Sequence, residues 1–301
     1  MKRDPSLNHK IMASIKGKDT KIELALRKEL TKLGIRYRKN YKGLIGKPDI
    51  YIPSSNLAIF ADSEFWHGYN FIEAKKSIKT NASFWIKKIE RNMARDKEVN
   101  KALEKMGVTT LRFYGFEIEK NLNGVMEKII STHQERLKIC SRKKNIKTKT
   151  TLGYALFGDS ILFLRRNKKK NDPNEGKCVG IGGHFERNEN RYSCMRREFE
   201  EETSLKIKDY SFLGTIYFLN DSYEDEKMYL FEIRSFSGNL KSSCEEGEFV
   251  FVKKEDIFKL PLWEGDKYFL NFIGSNLSSP FELTLLYKGE NIEKVEGPYF
   301  K

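Results

Sequence analysis

Three glutamates in the segment GHFERNENRYSCMRREFEEETSL (183–205) constrain this 301-residue chain more than any other feature. Glu198, Glu201 and Glu202 stand at i, i+3 and i+4. On a helix that spacing puts three carboxylates on one face, where like charges destabilise a bare helix by roughly 0.2–0.5 kcal/mol per pair. A shared divalent cation reverses the penalty and can hold a diphosphate for attack by water. Arg197, just before the first of them, can orient Glu198 or a neighbouring glutamate through a charge-assisted bond. The segment predicts a helix over 190–203 whose acidic face binds metal.

The rest of the chain divides around this feature. Residues 1–150 hold 34 Lys/Arg against 16 Asp/Glu, a net +18, and residues 151–301 hold 22 against 26, a net −4. A basic half suits a phosphate backbone. The lysine-rich stretch CSRKKNIKTKT (140–150) reads as a linker, which gives domains at 1–139 and 151–301. Before it, helical spacing over 20–34, strands at 36–41, 49–52 and 57–61, a long helix over 81–107, a strand over 108–115 and a helix to about 137 predict an α/β sandwich. After it come a hairpin over 151–166 turning at Gly158-Asp159, the acidic helix, strands between 210 and 252, and a last helix over 264–274. Cys140, Cys178, Cys194 and Cys244 are scattered, without the spacing of a zinc site or a disulfide framework. No apolar run approaches the ~18 residues of a membrane span, and no signal-peptide core is present, so a cytoplasmic location is expected.

In the first half, Pro48-Asp49 opens one strand, and LAIF (57–60) forms another that ends in the polar segment ADSE. An acid at the strand end can hold a metal that neutralises the charge developing during phosphodiester cleavage. Asp49, His67 and Asp96 together make a stronger nuclease signal than Asp49 alone.

The segments IKGKDTKIELALRKEL, GKPDI, AIFADSEFWHG, FWIKKIERNMARD and ALEKMGVTTLRFY, over about 8–120, resemble the very short patch repair (Vsr) endonucleases. The resemblance implies a restriction-endonuclease-like fold and magnesium-dependent nicking of DNA beside T:G mismatches. It places the metal-binding aspartate at Asp49, the catalytic histidine at His67, its supporting acid at Asp96 and the N-terminal helix acid at Glu23. It also implies a wedge of Met12, Phe65 and Trp66 in the base stack. Stacking by Phe65 and Trp66 offsets the few kcal/mol that unstacking costs. The positions of the family's structural zinc ligands hold Glu64, Tyr69, Asn70 and Phe116, none of them a thiolate or imidazole, so no zinc is expected. Ala61 stands where the family has a threonine.

The acidic segment fits the Nudix box G-x5-E-x7-R-E-U-x-E-E-x-G-U at Gly183, Glu189, Arg197, Glu198, Phe199, Glu201, Glu202 and Leu205, with Ser204 in place of the last glycine. Together with MYLFEI, CEEGEFVFV and LPLWEGDKYFL, it makes residues 151–290 similar to mutT-type 8-oxo-dGTP diphosphatases. That implies a Nudix α/β/α sandwich, with Trp263 stacking on a purine and Asp266 reading its edge. Cys178 replaces a family tryptophan. Glu245, Glu246 and Glu248 are equal candidates for a further metal ligand or base.

The leading reading is a bifunctional enzyme that nicks duplex DNA and hydrolyses purine nucleoside triphosphates, 8-oxo-dGTP among them. Magnesium, or manganese in its place, would serve both halves, held by Asp49 in the first and by Glu198, Glu201 and Glu202 in the second. A second reading makes the Nudix half a nucleotide- or modified-base-binding module that directs the nuclease, in repair or in defence against invading DNA.

Overall fold

The computed structural model describes residues 19–78, 81–168 and 172–300, and the chain divides after Cys140 into two compact units. In the first unit, helix α1 (Lys21–Lys32) begins at a capping box in which Thr20 and Glu23 exchange side-chain and backbone bonds. Strands β1 (Arg38–Lys39), β2 (Ile50–Ile52), β3 (Leu57–Asp62) and β4 (Thr109–Tyr114) form one sheet in that order. Its first pairings are antiparallel, and β3–β4 is parallel. Strand β3 alternates faces. Leu57 and Ile59 join Leu26, Leu30 and Phe113 in one core, whereas Ala58 and Phe60 face Val99 and Leu103 in another. Fully burying each such aliphatic side chain contributes about 1.5–3 kcal/mol. Helix α2 (Phe71–Ser77), absent from the sequence reading, follows β3, and α3 (Ala82–Lys105) leads to β4. Two further helices, α4 (Gly115–Lys120) and α5 (Leu122–Asn145), follow it.

The expected linker is regular structure. Residues up to Asn145 finish α5, and β5 (Thr148–Phe157) begins three residues later. The basic side chains that suggested a loop, Arg142, Lys143 and Lys144, occupy the last turn of α5. There the helix dipole favours cations.

In the second unit, β5, β6 (Ser160–Arg166), β8 (Lys206–Asn220), β9 (Glu226–Ser237), β10 (Gly247–Lys253), β11 (Phe281–Lys288) and β12 (Asn291–Phe300) form a mixed sheet in the order β10-β6-β5-β9-β8-β11-β12. The short β7 (Cys178–Val179) pairs with β6. Helix α6 (Arg191–Thr203) packs Met195 and Phe199 with Ala155, Leu162 and Phe231 in one core cluster. Tyr154, Phe163 and Leu230 belong to a second cluster, with Phe269 and Leu270 of α7 (Lys267–Leu270). The expected helix over 264–274 is reduced to a 3-10 turn, Glu264–Asp266, and this single turn of α7. A Cβ at Gly265 would lie 2.5 Å from the Tyr287 hydroxyl, and Gly274 takes φ +72°, so close approach and a left-handed stop replace the regular helix. Strands β11 and β12 went unread in the sequence. Among the described residues, no helix is long and apolar enough to cross a membrane.

Candidate active sites

The first site gathers at the carboxyl end of β3. Asp49 precedes β2, and its Oδ2 accepts the Ala61 amide at 2.8 Å. Burial pushes the Asp49 carboxyl up to about 6. The Ala61 bond opposes that rise, while the negative charges of Glu23 and Asp62 add to it. Glu23 is buried and accepts Arg27 Nη2 at 2.7 Å, and the same guanidinium also pairs with Asp19. After β3 the chain turns, the His67 amide donating to the Ser63 carbonyl. His67 Nδ1 thereby lies 2.6 Å from Asp96 Oδ2 on α3, and 3.5 Å from Asp62 Oδ1. Burial works against ionisation of Asp96, but the bond and charge of His67, together with Arg112, outweigh it and lower its pKa. Asp62 thus joins the two parts of the site, raising Asp49 on one side and flanking His67 on the other.

Phe65 and Trp66 meet edge to face, with ring centroids 5.1 Å apart. Trp85 of α3 lies 5.5 Å from Trp66 and 6.0 Å from Phe65, and Phe84 packs on Trp85 at 5.0 Å. Lys88 Nζ sits 4.7 Å from the Trp66 ring centroid. Phe65 is 44% exposed, so this is a surface platform and not core. Sequence reasoning passed over Trp85, although a second Phe-Trp pair at 84–85 was there to be seen. Met12 lies outside the described residues.

In the second unit, α6 begins at Asn190, whose side chain caps the amides of Tyr192 and Ser193. Arg197 is the hub of the box. Its Nε and Nη2 bond the two oxygens of Glu189, each at 2.9 Å, and its Nη1 reaches Glu198 at 2.9 Å and Glu201 at 3.0 Å. The Arg197 bonds pull Glu189 down to about 2. Glu202 differs: its Oε2 is buried without a hydrogen-bond partner. Burial first, then the charges of Glu246 and Glu198, push its carboxyl up to about 8. Of the three acids the sequence left equal, Glu246 is therefore the one that acts on Glu202. A Cβ at Gly183 would come within 2.5 Å of the Glu198 carboxylate, so only glycine lets the loop approach this closely. Ser204 caps the helix at φ +63°, the left-handed conformation that glycine adopts without strain.

Trp263 donates its Nε1 to Asn174 at 2.8 Å, carries Lys177 4.4 Å from its ring centroid, and contacts Phe218 and Tyr287 edge-on. Asp266, which is buried, accepts the Trp263 amide at 3.2 Å. Burial raises the Asp266 carboxyl to about 7, against the pull of that amide and Lys177.

The family profile described as DNA mismatch endonuclease Vsr matches residues 2–73, and that of the NUDIX domain matches residues 147–272. The chain is 46% identical over 125 residues to the Type II nicking enzyme V.NmeDIP of Neisseria meningitidis serogroup C, a match covering 42% of this chain and 84% of the relative. It is 30% identical over 119 residues to the Nudix hydrolase YvcI of Bacillus subtilis (strain 168), covering 38% and 72%. The chain belongs to the Vsr family in its first half and to the Nudix family in its second. A MutT protein structure from Bacillus halodurans aligns with 49% of this chain and 95% of its own, at 20% identity and a TM-score of 0.43. Both families are hydrolases, of phosphodiester and pyrophosphate bonds, and both generally depend on divalent metals.

Rings pack together around Tyr69, one of the positions where no zinc ligand is expected. Tyr69 lies 4.6 Å from Phe116 and 5.0 Å from Tyr114, and Glu64 accepts the Phe116 amide at 2.6 Å. Among the described residues, no group of three or more His, Cys, Asp or Glu side chains is drawn together in metal-holding geometry. The acids nevertheless suit a hard cation. Asp49 is half-buried and crowded by Glu23 and Asp62, and the Nudix half holds an unpartnered buried carboxylate oxygen at Glu202.

Proposed function

We propose that the chain is a bifunctional hydrolase. Its first half nicks duplex DNA beside a mismatch or lesion. Its second half hydrolyses a purine nucleoside triphosphate, preferably 8-oxo-dGTP, to the monophosphate and pyrophosphate. The observation that carries the nuclease reading is the 2.6 Å His67–Asp96 bond at the strand end next to half-buried Asp49. Magnesium or manganese would be held by Asp49 in one site and by Glu198, Glu201 and Glu202 in the other, neutralising phosphoryl charge and acidifying the attacking water. Asp96 fixes the His67 ring through Nδ1, leaving Nε2 to move a proton at the reacting phosphate. Phe65, Trp66 and Trp85 offer faces on which an unstacked base pair rests. The net +18 of residues 1–150 supplies the attraction for the DNA backbone.

In the Nudix half, Arg197 pins Glu189 and Glu198 while Glu202 remains free to ligate. Trp263 stacks on the purine and Asp266 reads its edge. The binding-module reading draws on one observation, the engagement of Glu198 and Glu201 by Arg197. One experiment separates the two: purified protein with magnesium or manganese, offered oxidised and normal nucleotides and duplexes carrying each mismatch or lesion. Nicking together with monophosphate release supports the bifunctional enzyme. Nucleotide binding without hydrolysis of any substrate makes the second half a sensor.

A further inference from the structure

Two carboxylates compete for one imidazole N–H in the first site. Asp96 Oδ2 is 2.6 Å from His67 Nδ1, and Asp62 Oδ1 is 3.5 Å from the same atom. A small ring rotation would transfer the bond from one acid to the other and redirect Nε2. One cation stands between them. Arg112, on β4 opposite Phe60 of β3, donates Nη1 to both oxygens of Asp62 at 3.0 and 2.8 Å. Its Nη2 lies 3.5 Å from Asp96 Oδ1, the oxygen that His67 does not use. The guanidinium is itself fixed: Nε donates to Asn100 at 2.9 Å, and the group lies 4.1 Å from the Phe60 ring centroid. A planar fork held this way loses little freedom on binding a carboxylate.

We propose that Arg112 is a positioning residue for His67, occupying Asp62 so that Asp96 alone orients the imidazole. The inference rests on the reading of His67 as the proton-moving group in DNA cleavage, and it adds how that ring is held. Arg112 need not touch DNA to act, because its donors are spent on Asp62, Asp96 and Asn100. Without it, Asp62 is freed beside Asp96 as a second acceptor, and the ring divides between them.

The full-length chain allows a direct test. The low-field imidazole N–H proton resonance, assigned by its loss in His67→Gln, reports the bond to Asp96. Arg112→Met should broaden or abolish it and lower the nicking kcat about tenfold or more, within the ~10²–10⁴ that a positioned proton-transfer group contributes. KM for DNA should stay within about twofold. Arg112→Lys should fall between wild type and Arg112→Met. Adding Asp62→Asn to Arg112→Met removes the competing charge and should restore the resonance, a recovery that a purely structural arginine would not show. Retention of the resonance in Arg112→Met overturns the inference. So does a raised KM without recovery in the double variant, which would make Arg112 a DNA contact. A wild type that shows the Arg112-dependent resonance but never nicks DNA supports the positioning role and removes the nuclease reading instead.

Discussion

Asp49 Oδ2 accepts the Ala61 amide at 2.8 Å, tying the start of one strand to the end of its neighbour. The bond aims the carboxylate at the strand end, and burial with two nearby acids holds its pKa at about 6. A protonated carboxyl does not ligate a divalent cation. With magnesium held below saturation, nicking should therefore fall about tenfold per pH unit below pH ~6, if one proton decides ligation. Asp49→Ala should abolish nicking at every pH while nucleotide hydrolysis continues. Unchanged nicking in that variant would remove Asp49 from the site.

The Tyr69–Phe116–Tyr114 packing makes a second prediction. Aromatic pairs of this geometry contribute ~0.5–1.5 kcal/mol beyond their area, so Tyr69→Ala should lower stability by about 1–2 kcal/mol on denaturant titration. The purified protein should hold no stoichiometric zinc, and chelation should leave its melting temperature unchanged. Elemental analysis that finds one tightly bound zinc per chain would contradict this.

Much of both sites was legible because their chemistry is local in sequence. The box glutamates share one helix face by spacing alone, and β3 showed its alternation in the run LAIF. What stayed hidden depends on distant partners. Arg112 reads as an ordinary strand residue until β3 is laid beside it, and Trp85 joins Phe65 and Trp66 only when α3 folds back. The stretch 140–150 misled because lysines at the end of a helix look like lysines in a loop. Strand β11 carries a period-two signal at Phe281, Leu283, Leu285 and Tyr287, all buried, whereas β12 shows no comparable apolar alternation.

Glu202 couples stability to pH. Its carboxyl titrates at about 8 in the folded chain, against an ordinary 4.5. The folded state holds the proton more tightly, so the contribution is full below pH ~4.5 and is lost as pH rises through about 8. The loss is on the order of 5 kcal/mol as an upper bound. Metal-free protein should melt progressively lower from pH 5 to 9, and Glu202→Gln should flatten that decline. Magnesium should raise the melting temperature of the wild type at pH 8 by more than it raises that of the variant. A variant with the same pH slope as wild type would show that Glu202 does not carry the effect.

Base recognition and bond cleavage fall on different residues of the Nudix half, so they should separate by mutation. Trp263 stands on an edge-on ring cluster with its Nε1 fixed to Asn174, which leaves its indole rigid and ready to stack. Losing such a ring costs ~1–3 kcal/mol per base, roughly five- to a hundredfold in affinity. Trp263→Ala should thus weaken nucleotide binding in calorimetry while keeping turnover at saturation. Glu202→Gln should do the reverse, retaining binding and losing turnover, because the amide keeps the shape but not the charge that a metal needs. Asp266 sits between these cases. Its carboxyl titrates near 7 and already accepts the Trp263 amide, so Asp266→Asn should change which purine is preferred and disturb the Trp263 ring together. If Trp263→Ala instead abolishes turnover with binding intact, the tryptophan belongs to the chemistry and the base must be held elsewhere.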